Sequence, residues 1–187
     1  MKFHKLFVAL SFSALVVGCN EQDVPTEALT TPAEATFDYT NNPKAMPVNT
    51  LGDCSAATII DPGELKRVDG LVIIQGRVFD CPLSGDLEGT TRVMWHNAVF
   101  HEFGTPNAHG HVTGTTILLV DVFYGQTDLN GTFEGPFSST LQNLLFGESK
   151  SIRYGTGDFQ GLVMHSTFYQ DPPASQRTIN TGTIIGR

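Results

Sequence analysis

Histidines are the residues of this chain with the clearest chemical potential, because a neutral imidazole is a common ligand of zinc, copper and iron. His109 and His111 are separated by one glycine, so their side chains lie on the same side of an extended segment. Such a pair chelates a metal ion when a third ligand approaches it. The candidates for that third ligand are His96, His101, Glu102 and His165.

The histidine pattern also has a simpler interpretation. A two-ligand motif is weak evidence by itself, and His109 and His111 at the start of a strand would contact loop carbonyl groups or solvent. His96 and His101 are separated by an odd number of residues, so an ideal strand places them on opposite faces. Metal binding is therefore one hypothesis among several, and no cofactor is predicted.

Acid–base catalysis would need a carboxylate in an apolar setting. Glu102, Asp121 and Glu134 lie in predicted strands, and one that faced the interior would hold its proton more tightly and serve as a general acid or base. On a solvated outer face, where most strand acids lie, they would have no such role. The chain has no Gly-x-Ser-x-Gly, no His-Glu-x-x-His and no phosphate-binding loop that leads into a helix. The sequence therefore identifies no catalytic group.

Aromatic residues are the other candidates for a binding site. They would line an apolar cavity if the fold leaves one, although aromatic side chains more often fill a core. The residues concerned are Trp95, Phe100, Phe103, Phe123, Phe133 and Phe168.

The elements that would position these residues are strands. Gly18 is the only glycine before residue 51, so 18 of the 19 glycines mark turns in the rest of the chain. β-Branched and aromatic runs lie between these turns, and no long stretch after residue 20 has a helical period. The predicted strands are 68–80, 91–103, 111–123, 131–142, 149–154, 161–170 and 178–185, with 55–60 as a weaker candidate and 139–146 as a possible short helix.

Seven or eight consecutive short strands without helices predict an all-β, mostly antiparallel fold. We expect a closed barrel of eight strands, because closure removes the exposed sheet edges and about 140 residues suffice for it. A two-sheet β-sandwich is the alternative. A membrane-spanning barrel is not expected, since the strands lack an apolar outward alternation flanked by aromatic girdles.

The start of the chain has the organisation of a bacterial lipoprotein signal. Two lysines precede an apolar run over residues 6–17, which is too short to span a bilayer as a helix. The run ends in Val16-Val17-Gly18-Cys19, which resembles the lipoprotein cleavage box. The resemblance implies removal of a signal peptide (1–18) and acylation of Cys19 with chains such as palmitate. An ordinary signal peptide with an incidental cysteine is the alternative.

The residues after Cys19 suggest the membrane in which the protein is anchored and a flexible tether. Asn20 stands where many lipoproteins of the inner membrane have aspartate, so the resemblance implies the outer membrane if the source is a two-membrane bacterium. Residues 19–50 hold four prolines, five acidic residues and one lysine, which predicts a flexible tether with a mean reach of about 30 Å. The barrel domain is then predicted over 51–187.

Two cysteines remain once Cys19 is assigned to lipid. Outside the cytoplasm an even pair usually forms a disulfide, so we expect Cys54 and Cys81 to be bonded. The closed loop would contain 28 residues, which chain-entropy reasoning values at about 3.5 kcal/mol. A catalytic or metal-binding thiol is the alternative, but the chain has no Cys-x-x-Cys.

The carboxyl-terminal half carries a family resemblance. Residues 153–161 (Arg-Tyr-Gly-Thr-Gly-Asp-Phe-Gln-Gly) and the later 181–184 (Thr-Gly-Thr-Ile) resemble the closing hairpin of allene oxide cyclase-like and dirigent-like barrels, although Tyr154 replaces that hairpin's first glycine. Residues 131–135 (Gly-Thr-Phe-Glu-Gly) are similar to a motif of many secreted bacterial barrels. The resemblance implies an eight-stranded, calycin-like barrel and would allow an isomerase or cyclase activity.

The net charge of the chain argues against one further class of function. The chain has 11 basic and 19 acidic residues and a formal charge of −8, which argues against nucleic-acid binding. The sequence favours a membrane-anchored lipoprotein of the cell envelope whose barrel binds a small apolar molecule or a partner without catalysis. The alternatives are a barrel enzyme of the isomerase or cyclase type and a periplasmic metal-binding protein that uses His109 and His111.

Overall fold

The computed structural model describes residues 45–143, 145–170 and 176–186 of the chain. The predicted signal peptide, Cys19 and most of the predicted tether lie outside these ranges, so those assignments stay predictions. Within the described residues, no helix has the length and apolar character needed to cross a membrane.

About three quarters of the described chain is strand. Two 3₁₀ turns, at Cys54–Ala56 and Gly157–Phe159, are the helical elements of the described residues. The strands are β1 (Met46–Asp53), β2 (Thr58–Asp61), β3 (Glu64–Val68), β4 (Leu71–Gln75), β5 (Arg77–Gly85), β6 (Leu87–His101), β7 (His109–Phe123), β8 (Gly131–Gln142), β9 (Leu145–Phe146), β10 (Ser149–Gly155), β11 (Leu162–Gln170) and β12 (Arg177–Gly186).

Eight of these strands close into an antiparallel barrel, as the sequence predicts. The hydrogen-bonded order around the barrel is β1, β12, β11, β10, β8, β7, β6 and β5, and β5 pairs with β1 to complete the ring. The other strands extend the sheet outside the ring: β2 pairs with β5, β4 with β6, β3 with β4, and β9 with β8. The closed ring excludes the β-sandwich alternative.

Side-chain alternation along the strands separates the inside of the barrel from the outside. In β8, every second residue from Phe133 to Leu141 is buried and those between are exposed. The buried apolar side chains form two clusters. The first contains Leu87 and Phe133 from the beginnings of β6 and β8, and the second contains Phe100 and Leu141 from the ends of the same strands. The clusters therefore lie towards opposite ends of the barrel.

Glycines make room for aromatic rings inside the barrel. A Cβ atom at Gly114 would lie 2.7 Å from the ring of Phe137, and one at Gly131 would lie 2.7 Å from the ring of Phe159. Each ring occupies the space that a side chain on the glycine would need. Backbone carbonyl oxygens lie even closer, that of Met94 at 2.0 Å from the Gly114 position and that of Thr156 at 2.3 Å from the Gly131 position, so larger residues would displace a neighbouring strand as well as a buried ring.

Four local predictions differ from the structure. The predicted strand 68–80 is two strands, β4 and β5, which break at Gly76 with φ of +71°. β3 was not predicted, because all of its residues are exposed and give no alternation. β1 begins at Met46, five residues before the predicted domain boundary, because its alternate residues are buried against the barrel. The possible helix at 139–146 is wrong: β8 continues to Gln142, and β9 folds back to pair with it.

The predicted disulfide between Cys54 and Cys81 is present, with Cα atoms 4.7 Å apart. It lies beside the seam of the barrel, which we define as the pairing of β1 with β5. That seam contains only three residue pairs, from Thr50 to Gly52 on β1. Because Cys54 directly follows β1 and Cys81 is in β5, the disulfide holds a short seam closed.

Candidate functional site

The predicted histidines are all exposed on the outside of the barrel. His109 and His111 share one side of β7, as their spacing predicts, and His101 lies directly opposite His109 on β6. The imidazole rings of His101 and His109 are stacked, with centroids 4.7 Å apart and planes at 3°. His111 instead contacts Ser138, with 3.2 Å between Nε2 and Oγ.

His96 and His101 are both exposed on the outer face, which corrects the prediction from their odd spacing. A β-bulge between Trp95 and Asn97 adds one residue to β6 and shifts the alternation after it. The His96 side chain contacts Thr115, with 3.2 Å between Nε2 and Oγ1. His165 is on β11, which is not a neighbour of β6 or β7 in the barrel.

The described ranges contain no group of three or more His, Cys, Asp or Glu side chains placed to hold a metal ion. His109 Nδ1 lies 3.1 Å from the carbonyl oxygen of Asn107, so, with the contact of His111 to Ser138, each histidine of the pair has one ring nitrogen with a partner. The structure does not bring a third ligand to His109 and His111. The metal-binding hypothesis therefore depends on the two-histidine motif alone.

The carboxylates that were candidates for acid–base chemistry point outwards. Glu102, Asp121 and Glu134 are exposed, and the buried polar side chains of the described chain include no aspartate or glutamate. Two depressions of 330 and 190 Å³ also lie on the surface, and Glu134 and Tyr154 line the larger of them. A carboxylic general acid inside the barrel has no candidate among the described residues.

Aromatic side chains at one end of the barrel are only half-buried. We call this group, which consists of Phe79, Trp95, Phe146 and Phe168, the aromatic mouth. The Trp95 ring has its centroid 5.7 Å from that of Phe79 and 6.3 Å from that of Phe146. The Phe168 ring lies 5.9 Å from that of Phe137, a member of the second buried cluster. The mouth therefore continues the barrel core towards solvent.

The aromatic residues named from the sequence have different environments. Trp95 and Phe168 lie in the mouth, whereas Phe103 is 43% exposed. The remaining three are fully buried in the core: Phe100, Phe123 and Phe133.

Arg77 lies among the rings of the aromatic mouth. Its guanidinium carbon is 5.8 Å from the ring centre of Phe79 and 5.5 Å from that of Trp95. Its Nε atom is buried and has no hydrogen-bond partner among the described residues. Contact with the rings stabilises the charge, but a buried unpartnered N–H costs about 1–3 kcal/mol. The mouth thus contains a positive charge with an unused hydrogen-bond donor.

Arg153 is the only charged side chain among the buried residues of the described chain, with 1% of its surface exposed. Its Nε donates to Thr116 Oγ1 at 2.8 Å, and its Nη1 donates to Ser166 Oγ at 2.5 Å. The guanidinium carbon is 6.0 Å from the ring centre of Phe168. Phe168 therefore connects this buried cation to the aromatic mouth.

The positive charge of Arg153 has no counterion within the described residues. The ion pairs there involve other side chains. Burial lowers the pKa of Arg153 to about 10, because the charged form loses its hydration. Since this value is well above neutral pH, the side chain is charged inside the barrel. The hydroxyl groups of Thr116 and Ser166 supply dipoles but no negative charge.

Arg92, on the outer face, provides a contrast. It makes two hydrogen bonds to the carboxylate of Asp80, both at 2.8 Å. These hydrogen bonds lower the pKa of Asp80 and raise that of Arg92. Among the described residues, an acid therefore pairs with the solvent-accessible Arg92, and none pairs with the interior Arg153.

Sequence reasoning did not identify Arg77 or Arg153. The only signal was the alternation in β10, which places Arg153 on the face opposite to Ile152 and Tyr154. Hydrophobicity favours the Ile152 face for the interior, but Ile152 is 44% exposed and Tyr154 is 49% exposed. The apolar pattern of this strand is therefore inverted in the structure.

Comparison with known proteins supports the fold alone. No family model matches the sequence, and no curated protein does so either. A solved structure of a protein of unknown function, from the DUF3224 family of Shewanella oneidensis MR-1, is similar with a TM-score of 0.53. The match covers 77% of this chain and 98% of that chain at 11% identity. The resemblance to allene oxide cyclase-like and dirigent-like barrels stays a prediction.

Proposed function

We propose that this protein is a membrane-anchored lipoprotein whose barrel binds a small apolar molecule at the aromatic mouth, without catalysis. The observation that carries the proposal is the half-burial of inward-facing rings, of which Trp95 and Phe168 are the clearest examples. Such rings leave apolar surface that a ligand would remove from water, at about 25 cal/mol per Å².

The position of the proposed site follows from how the interior is filled. Below the mouth, Phe137 occupies the space beside Gly114, and Arg153 with its hydroxyl partners occupies the barrel beside β10. The apolar part of a ligand would therefore be held among the rings at the end of the barrel. The absence of a buried carboxylate among the described residues supports binding over acid–base catalysis.

Trp95 is the only tryptophan of the chain, so its fluorescence reports on the mouth directly. We expect octanol to change the Trp95 emission of the complete, detergent-purified chain in a saturable manner. Phe168→Ala should weaken this binding about tenfold, because it removes one aromatic wall of the mouth. Tyr169→Ala is the matched control, since Tyr169 is the next residue of β11 and is 41% exposed.

Two results would count against the mouth as a binding site. One is a Trp95 emission that octanol leaves unchanged over its soluble range. The other is an equal loss of binding in Phe168→Ala and Tyr169→Ala, with both variants retaining the wild-type thermal unfolding transition.

Lipid anchoring has its own test. We expect Cys19→Ala to abolish incorporation of radiolabelled palmitate, because the acylated thiol and the cleavage site are both lost. Asn20→Ala is the control and should label normally. Undiminished labelling of Cys19→Ala would show that the palmitate is attached elsewhere, and unlabelled wild-type protein would contradict lipid anchoring.

A further inference from the structure

We propose that the ligand of this barrel is an amphiphile with an anionic head group, which binds Arg153 while its apolar part lies among the rings of the mouth. The inference rests on the proposed function and adds the chemical class of the ligand. The charge inside the protein has one sign, because the described residues bury one cation and no anion.

Arg153 carries a buried charge that the described residues do not compensate. A buried guanidinium has five N–H donors, and hydrogen bonds within the described chain engage two of those of Arg153, both with neutral hydroxyl groups. A charge held in this way is expensive unless an opposite charge approaches it. A carboxylate or a similar anion would supply that charge, and its two oxygens match the geometry of a guanidinium.

Arg77 adds a second positive charge, at the mouth of the barrel. Its buried Nε has no partner, and its guanidinium lies against the rings of Phe79 and Trp95. No carboxylate of the described chain pairs with this arginine either. An anion that approaches the mouth therefore meets one positive charge at the entrance and a second inside, with Phe168 beside the inner one.

Apolar rings beside unpaired cations define an amphiphilic ligand. A purely apolar molecule would leave both arginines without a counterion, and a small inorganic anion would leave the half-buried rings uncovered. An apolar acid satisfies both requirements at once. Its free and membrane-derived forms share this chemistry, so octanoate is a suitable probe for the class.

The test compares two probes with the same chain, octanoate and octanol, by their effect on Trp95 emission in the complete chain. Arg153→Met should weaken octanoate binding about tenfold or more, which corresponds to loss of a charged hydrogen bond, and leave octanol binding within about twofold. Each affinity is expressed as a ratio of variant to wild type. Partition of the probe into the detergent affects both measurements equally and therefore cancels. Arg67→Met, which removes an exposed charge from β3, should change neither probe.

The outcomes separate the two proposals. If neither probe binds the wild-type protein, the proposed function fails. If octanol binds and Arg153→Met leaves octanoate binding unchanged, or weakens both probes equally, the anionic class is wrong. A measurement without variants covers the case in which Arg153→Met does not fold: wild-type protein should bind octanoate at least tenfold more tightly than octyltrimethylammonium, and equal affinities would overturn the inference.

Discussion

Replacing Cys54 and Cys81 together with serine is expected to lower the free energy of unfolding by about 3.5 kcal/mol. The disulfide closes a loop between residues 27 positions apart and removes freedom from the unfolded chain. It also lies beside a seam that has only three residue pairs, so the folded barrel depends on it locally. Urea unfolding followed by circular dichroism at neutral pH measures the effect.

The position of the disulfide also predicts which part of the barrel its loss will loosen. Amide exchange in the double variant should increase most along the seam, at Leu51 and Ser84, which pair directly. Amides of β8, on the far side of the ring from the seam, should keep their relative protection. Stability within about 0.5 kcal/mol of wild type would contradict the role of the disulfide as the clamp of the seam.

Arg153→Met is expected to increase the free energy of unfolding by about 1–2 kcal/mol at neutral pH. Desolvation that lowers the pKa of Arg153 to about 10 implies that the folded state holds the charge at a cost on the order of 3 kcal/mol. Loss of the hydrogen bonds to Thr116 and Ser166 offsets part of the gain, at about 1 kcal/mol each.

The difference in unfolding free energy between Arg153→Met and the wild-type protein should depend on pH in one direction. Below about pH 10 the arginine is charged in both states, so the advantage of methionine is constant. Above about pH 10 the folded state releases the proton before the unfolded chain does. The stability of the wild-type protein therefore rises relative to Arg153→Met as the pH increases through 10, and the difference shrinks.

Arg92→Met is the matched control, and its expected effect has the opposite sign. Arg92 makes a partly exposed ion pair with Asp80, so its loss should decrease stability by at most about 1 kcal/mol. If Arg153→Met destabilises the barrel as Arg92→Met does, the interior arginine is a structural group. A stabilised variant that no longer prefers octanoate would show that the chain retains a costly cation for binding.

The barrel could be predicted from the sequence because most of its strands alternate plainly or follow turn residues. β8 illustrates this, since every second residue from Phe133 to Leu141 is buried. β3 could not be predicted, because it extends the sheet outside the barrel and both of its faces meet solvent. β1 was obscured by Pro47 and by the tether-like composition before it, although Met46 and Val48 are buried.

The candidate site was only partly predictable. Trp95 and Phe168 were named as possible lining residues, but two local features hid the rest. The bulge in β6 changes the face on which its later residues lie. In β10 the register with β11 fixes Arg153 opposite Met164. Gly135 on β8 leaves room beside the backbone of Arg153. These are tertiary constraints, whereas the hydrophobic pattern of β10 predicts that Ile152 faces the interior.

The most direct test of the central claim is carbon NMR of octanoate labelled at its carboxyl group, titrated with pH in the presence of the protein. A bound signal should appear, and the pKa of the bound carboxyl should lie below that of free octanoate, because two guanidinium groups favour its ionised form. Arg153→Met should weaken this binding about tenfold and bring the pKa of the carboxyl that still binds closer to that of free octanoate. A bound carboxyl that titrates like free octanoate, or no bound signal at all, would contradict the account.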